Sequence, residues 1–365
     1  MGKQRGPGAQ GPRGRGAQGP RSRGAQEKFQ SKIQNPKSKI QNPLAPRPSF
    51  LTPQITADGS FTFFSPQFGE AFHSHYGARM EAQFKFAVPA NLKHKAQHNQ
   101  SLRLLDVCYG LGYNTAAALA TIWEANPSCE VEVIGLELNP DVAQAAIAHH
   151  LLDGWNSPIP EILSQLATTH QVQTNQFQAK LLIGDARKTI QSIKSNFQAD
   201  AIFLDPFSPP VCPQLWTVEF LERVATCLNF DGRLVTYSSS AAVRTALIAA
   251  GLKIGSTPPV GRRSPSTVAS KNTDPLPPLS PQEQEHLLTR AAIPYRDPNL
   301  CDSAEVIRQR RITEQNTSCL KPTSQWRRQL KGERYIAGVR DEGRGVRGRE
   351  KGKGKREKGK GKREE

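Results

Sequence analysis

The sequence predicts an α/β fold in which a mostly parallel sheet carries helices on both faces. Two observations support this. From residue 102 onward, short apolar runs alternate with helical stretches, the pattern of strands joined by covering helices. The runs also end in acids: Glu137 closes the second, Gly184-Asp185 follows the third, and Asp205 follows the fourth. In such sheets the carboxyl edge is where ligands bind.

The elements follow in order. The pattern predicts strands over 102–107, 131–136, 180–183, 201–204 and 233–237. Helices are predicted over 115–124, 140–150, 215–227 and 241–250, with a short one over 188–194. Gly251 closes the last of these, as glycine commonly does. Upstream, Thr56-Ala57-Asp58-Gly59-Ser60 is a turn signal before the hairpin arm Phe61-Thr62-Phe63-Phe64.

Charge divides the chain differently. The total is +17, of which residues 1–49 carry +10 and residues 322–365 carry +9, leaving the middle at −2. Both ends are repetitive: Gly8-Ala9-Gln10-Gly11-Pro12-Arg13 returns from Gly16, and Arg349-Glu350-Lys351-Gly352-Lys353 returns from Arg356. Text of this kind cannot bury a core. The expected organisation is therefore a disordered basic tail over 1–49, a domain over 50–270, a partly ordered extension over 271–320 and a second disordered basic tail over 321–365. The tails read either as arms that hold polyanionic RNA by counterion release or as expanded repeats without a role.

No stretch reaches the roughly 18 apolar residues of a membrane span. The N-terminus has charge but lacks the apolar core of a secretory signal. The six cysteines form no Cys-x-x-Cys pair, so neither zinc nor a disulfide framework is expected. A cytoplasmic protein follows from these readings. His73 and His75 invite a metal reading, but no third ligand has suitable spacing.

The first predicted strand runs into Asp106-Val107-Cys108-Tyr109-Gly110-Leu111-Gly112-Tyr113-Asn114-Thr115. Gly110 and Gly112 let backbone approach a ligand at a helix start. Tyr109 and Asn114 belong to the same loop. Glu137 stands where an acid accepts hydrogen bonds from both ribose hydroxyls, and Asp185 where a carboxylate meets an adenine amino group. A Gly-x-Gly pair alone is weak, and NAD is the rival ligand. However, the third glycine of a dinucleotide fingerprint falls on Thr115. S-adenosyl-L-methionine has no pyrophosphate and needs carboxylates for its ribose, adenine and amino group, which fits the acids here.

The fourth strand ends in Leu204-Asp205-Pro206-Phe207-Ser208-Pro209-Pro210, followed by Pro213-Gln214-Leu215-Trp216. Proline at 206 ends the ladder and stiffens the loop. An acid, a proline and an aromatic at this edge suit gripping an amino group beside a methyl donor. Phe207 and Trp216 are candidates for stacking on an unstacked RNA base, with ordinary helix packing the alternative for Trp216. Arg262 and Arg263 are candidate phosphate contacts or solvated surface charge. Glu81, with Tyr76, is expected in a polar lid near the methionine end of the cofactor.

These residues, from about Thr56 to about Ser270, resemble the methyltransferase domain of the MnmC family. The matching pieces include Asp58-Gly59-Ser60, Gly69-Glu70-x-x-His73-Ser74, Gly77-Ala78-x-x-Glu81 and Gly110-Leu111-Gly112-Tyr113-Asn114. Asp185, Leu204-Asp205-Pro206-Phe207-Ser208-Pro209, Pro213-Gln214-Leu215-Trp216 and Val260-Gly261-Arg262-Arg263 continue the match. The resemblance implies a Rossmann-like S-adenosylmethionine-dependent methyltransferase acting on tRNA, at the aminomethyl group of 5-aminomethyl-2-thiouridine in the wobble position. It makes Asp205 the catalytic carboxylate and puts Gly110, Gly112, Glu137 and Asp185 around the cofactor. Cys108 stands where the family has glycine, and Pro206 where it usually has glycine. Nothing after residue 270 resembles the flavin-dependent oxidase domain that many members carry, so a separate enzyme is expected to supply the free amine. Two other readings stay open: a transferase for a small amine on the same sheet, and a non-enzymatic protein that binds RNA through its tails.

Overall fold

The computed structural model describes residues 51–261, 264–272 and 276–330. The expectations for residues 1–49 and for 331–365 lie outside the described residues.

Two small hairpins come first: β1 (Gln54–Ile55) with β2 (Phe61–Thr62), then β3 (Phe64–Ser65) with β4 (Glu70–Ala71). The turn at 56–60 is held by Asp58, which accepts from the Ser60 N–H and the Thr56 hydroxyl. Next come α1 (Ala78–Glu81), a π-helical stretch (Ala82–Ala87) and α2 (Leu92–His98). The alternating region contains β5 (Ser101–Val107), α3 (Tyr113–Ala125), β6 (Glu130–Glu137), α4 (Pro140–Ala148), α5 (Ile159–Thr169), β7 (Gln171–Gln173), β8 (Phe177–Ile183), α6 (Ala186–Thr189) and β9 (Ala199–Leu204). It continues with α7 (Val218–Thr226), β10 (Leu228–Thr236), α8 (Ala241–Ala249), β11 (Lys253–Thr257) and β12 (Ser266–Ser270), and then α9 (Pro281–His286) and α10 (Ala304–Thr317).

Eight strands form one sheet in the order β11-β12-β10-β9-β5-β6-β8-β7. The five central strands, β10 to β8, run parallel; β7 and the β12–β11 hairpin add antiparallel edges. Apolar runs such as Leu102–Val107 and Ala201–Leu204 form the middle because helices cover both faces. One core holds α3, α5 and the helices before β5; the other holds α7, α8 and residues from 295–307.

The register fixes the site. Val107 pairs with Leu136 and with Leu204, so Cys108, Glu137 and Asp205 emerge level with one another. The connections also diverge at β5 and β9, the switch point where α/β sheets open a crevice.

Several elements differ from the sequence reading. α5 and β7 were not predicted, although Ile159, Ile162, Leu163, Leu166 and Ala167 repeat at helical spacing and are buried. The helix predicted from 215 begins as a 3-10 turn over Pro213–Trp216. Thr217 then caps α7, its hydroxyl accepting from the Phe220 N–H.

Residues 276–330 pack on the α8 side of the sheet. Arg244, only 2% exposed, pairs with Glu283 at 2.8 Å and donates to the Thr267 hydroxyl. Asp297 is fully buried, accepts from the Cys301 and Asp302 N–H groups and pairs with Arg187 at 2.8 Å. The chain is helical again over 323–330, inside the span expected to be tail. Trp326 explains this: its indole is buried, stacks on His286 and donates to Glu285.

Glu283 links this packing to pH. Burial raises its pKa, but hydrogen bonds from Ser256, Ser280 and Arg244 bring it down to about 2. A folded value below the unfolded one gives stability that is complete above about 4.5 and lost as pH falls toward 2. Glu283→Gln should cost on the order of 2 kcal/mol at pH 7, less than a fully buried pair because the side chain keeps 18% exposure. In thermal melts, the gap between wild type and variant should narrow from pH 4.5 down to 2; an unchanged gap would deny the linkage.

Candidate active site

A cavity of about 670 Å³ opens at the carboxyl edge of β5, β6 and β9, within the range of small-molecule sites. Its floor comes from the strand ends: Cys108, Gly110, Glu137, Leu138, Asp205, Pro206 and Phe207. Its roof comes from the N-terminal hairpins and α1, with Glu81 and the π-helical Lys85.

The loop after β5 has three successive left-handed turns of backbone, at Cys108 (φ 69), Gly110 (φ 55) and Gly112 (φ 85). Cys108 adopts the conformation that glycine takes freely, at a cost of roughly 1–2 kcal/mol. Gly110 lies on the cavity wall, and its N–H donates to Glu137 Oε2 at 2.8 Å. Asn139 N–H donates to Glu137 Oε1 at 2.9 Å. Each carboxylate oxygen keeps a lone pair for a ligand hydroxyl. Burial pushes the Glu137 pKa up. Thr115 stands in the fingerprint's third glycine position and donates to Asp106 at 2.7 Å. Asp106 is fully buried, and burial pushes its carboxyl up to about 7.

Asp205 follows β9, its backbone N–H bonded to the Val107 carbonyl. Asn114 Nδ2 donates to Asp205 Oδ2 at 2.9 Å, which orients the carboxylate from the first turn of α3. Desolvation pushes the Asp205 pKa well above the usual carboxylate range, the Asn114 hydrogen bond opposing the shift and Glu81 and Asp106 adding to it. Tyr237 donates to the Pro206 carbonyl, holding the following loop.

The roof is clasped to this loop. Glu70, on β4, accepts from the Ser208 N–H at 2.9 Å and from its hydroxyl. Phe207 stacks on Phe68, with centroids 4.4 Å apart, and meets Phe72 edge-on. Glu81 accepts from Ser74 and pairs with Lys85 at 2.7 Å. Burial would raise Glu81, but Lys85 and Ser74 outweigh it and hold it low. His73 is hydrogen-bonded to Thr62, and burial lowers its pKa to about 4.

The predicted site residues therefore separate. Asp205, Gly110, Glu137, Glu81 and Phe207 line the cavity. Asn114 reaches it through Asp205. Tyr109 and Gly112 act from beneath: the Tyr109 ring is buried, and a Cβ on Gly112 would lie 2.7 Å from its hydroxyl. One expectation is corrected. Trp216 is fully buried, donates to the Phe207 carbonyl and meets Tyr237 edge-on, so it cannot stack on a substrate base. Asp185 caps α6 and is held by the Arg187 guanidinium at 2.7 Å, off the cavity wall. Arg262 and Arg263 lie outside the described residues. No group of three potential metal ligands occurs among the described residues. Sequence reasoning missed Lys85 and the Glu70–Ser208 clasp; Lys85 at four residues from Glu81 was the available signal.

The cavity wall carries Glu70, Glu81, Glu137 and Asp205 against one lysine. A dinucleotide would bring two phosphates against these acids, whereas S-adenosylmethionine brings a sulfonium, an ammonium and two ribose hydroxyls. The residues fit the latter: Glu137 would hold the ribose, with Gly110 giving its backbone room. A Cβ on Gly110 would touch Phe72 at 3.6 Å in left-handed backbone. Gly110→Ala should cost roughly 1–2 kcal/mol and stay folded, while Gly110→Val should abolish cofactor binding in equilibrium dialysis. Wild-type affinity in the folded valine variant would contradict the assignment.

Comparison with known proteins agrees with this geometry. Residues 149–272 match the family described as S-adenosyl-L-methionine-dependent methyltransferase. An uncharacterized protein of Methanocaldococcus jannaschii, MJ0670, is 32% identical over 255 residues, 67% of each chain. The tRNA 5-methylaminomethyl-2-thiouridine biosynthesis bifunctional protein MnmC of Ralstonia nicotianae is 28% identical over 60% of this chain and 34% of its own length. The chain thus spans about a third of that relative. The crystal structure of MNMC2 from Aquifex aeolicus superposes with a TM-score of 0.64 at 35% identity, covering 73% of this chain and 86% of that one. With that coverage and the acidic donor site at the sheet edge, the chain belongs to the MnmC-like family of S-adenosylmethionine-dependent methyltransferases.

Proposed function

We propose that this methyltransferase acts on tRNA and methylates the aminomethyl nitrogen of a wobble uridine, 5-aminomethyl-2-thiouridine, giving the 5-methylaminomethyl product. The observation that carries the reading is Asp205: a carboxylate on the cavity wall, oriented by Asn114 and raised in proton affinity by its surroundings. The established names of the MnmC relatives, tRNA 5-methylaminomethyl-2-thiouridine biosynthesis proteins, support the acceptor.

An alkylammonium must lose a proton before its nitrogen can attack, since such groups titrate near 10 in water. Asp205 accepts that proton and aims the lone pair. Its raised proton affinity narrows the gap to the ammonium, so the transfer is less uphill than to an ordinary carboxylate. The bound cofactor supplies the methyl group and leaves as a neutral thioether. Glu81, held low by Lys85 and Ser74, stays ionised while Asp205 is protonated. Phe207, fixed by Phe68 and Phe72, gives the acceptor an apolar wall.

The test is transfer of labelled methyl from S-adenosylmethionine to tRNA from cells lacking this gene, followed by nucleoside analysis. Label should appear in 5-methylaminomethyl-uridine derivatives; cofactor binding without label in tRNA would favour a small-amine acceptor. Asp205→Asn should reduce transfer by roughly 100- to 10,000-fold with cofactor affinity little changed. In wild type, kcat/KM should rise with pH through an apparent pKa above the ordinary carboxylate range. Wild-type turnover by Asp205→Asn would remove Asp205 from this role.

A further inference from the structure

The mouth of the cavity carries an aromatic surface that amine methylation leaves unused. His75 and Tyr76 both line the cavity from the roof. Their rings lie 4.1 Å apart, tilted by 33°. Tyr76 keeps 42% exposure and belongs to neither core. Ile55 and Phe64, both exposed, line the same cavity. Single exposed apolar side chains are ordinary, but several around one opening mark an interaction surface.

The fold itself holds these rings in place. The His75 carbonyl accepts from the Ala57 N–H at 2.8 Å, which ties the segment to the first turn. Gly261, in the β11–β12 connection, presses on the other ring. A Cβ there would lie 2.8 Å from Tyr76 Cβ and 3.2 Å from its Cγ, in backbone at φ 64. Only a glycine allows that approach. A ring fixed by His75 and by Gly261 loses little freedom when a ligand stacks on it.

Charge decides what fits. The wall carries Glu70, Glu81, Glu137 and Asp205 against Lys85, so RNA phosphates are repelled from the interior. A base and its amine can enter; the sugar–phosphate chain stays outside, at the rim. The next base along, no longer stacked on the one drawn in, presents a flat apolar face there. Aromatic side chains hold such unstacked bases. We propose that His75–Tyr76 is a stacking platform for the base adjacent to the one methylated, with Ile55 and Phe64 completing the rim. Tyr76 then serves the acceptor and not the methionine end of the cofactor. This inference rests on the RNA acceptor, and makes an unstacked stretch of RNA, not a lone amine, the ligand of the cavity mouth.

Binding tests it without turnover. Wild-type protein saturated with S-adenosylhomocysteine is titrated, by fluorescence anisotropy, with an anticodon stem-loop RNA carrying 5-aminomethyl-2-thiouridine. The same RNA made abasic at each neighbouring position in turn is the comparison. One of the abasic RNAs should bind roughly 5- to 100-fold more weakly than the intact one. Tyr76→Ala should weaken the intact RNA by a similar factor and no longer tell it from the abasic RNA, with S-adenosylhomocysteine affinity unchanged. Tyr76→Phe, which keeps the ring, should restore the preference. Equal binding of intact and abasic RNAs by wild type, or no binding of either, would overturn the proposal even if no variant folds. A Tyr76→Ala protein that still discriminates, or that loses S-adenosylhomocysteine, would overturn it too. Discrimination as expected, with no methyl transferred to tRNA, would sink the acceptor and leave the platform standing.

Discussion

The site depends on negative charge held out of water at the edge of a parallel sheet. Glu137 and Asp205 are pushed toward protonation by burial, and Asp106 behind them to about 7. A buried carboxylate is tolerated only when hydrogen bonds or a cation compensate. The protein supplies part of this: Gly110 and Asn139 N–H groups for Glu137, Asn114 for Asp205 and Thr115 for Asp106. A cationic methyl donor and an ammonium acceptor supply the rest. The same desolvation that destabilises the empty site therefore favours its ligands and gives Asp205 the affinity for a proton that amine methylation needs.

The N-terminal hairpins complete this environment. They contribute little to the sheet, but they place Glu70 on Ser208 and Phe68 and Phe72 on Phe207. The loop after β9 is thus fixed from two sides, by the roof and by Trp216 and Tyr237 beneath. Excluding water from this loop strengthens every charge interaction within the cavity.

The parallel sheet was legible because its strands are continuous apolar runs ending in acids, and because their order sets the crevice. Glu137 and Asp205 could be found from position alone, since parallel register brings strand ends level. The fate of Asp185 was not legible: Arg187, two residues on, is fixed by Asp297, 110 residues away in sequence. Trp216 was ambiguous for the same reason, as its partners Phe207 and Tyr237 lie on separate loops. Lys85 belongs to a π-helical stretch that no simple periodicity reports. Long-range partners, rather than local pattern, decided the places of Asp185 and Trp216.

The central claim, that buried carboxylates recognise a cationic donor, has a direct measurement in the protons exchanged on binding. Titrations of S-adenosylmethionine and of the neutral thioether S-adenosylhomocysteine would be run near neutral pH in buffers of different ionisation enthalpy. A sulfonium beside raised carboxylates should drive off protons, so S-adenosylmethionine should release measurably more than S-adenosylhomocysteine. Equal proton counts for the two compounds would contradict the account.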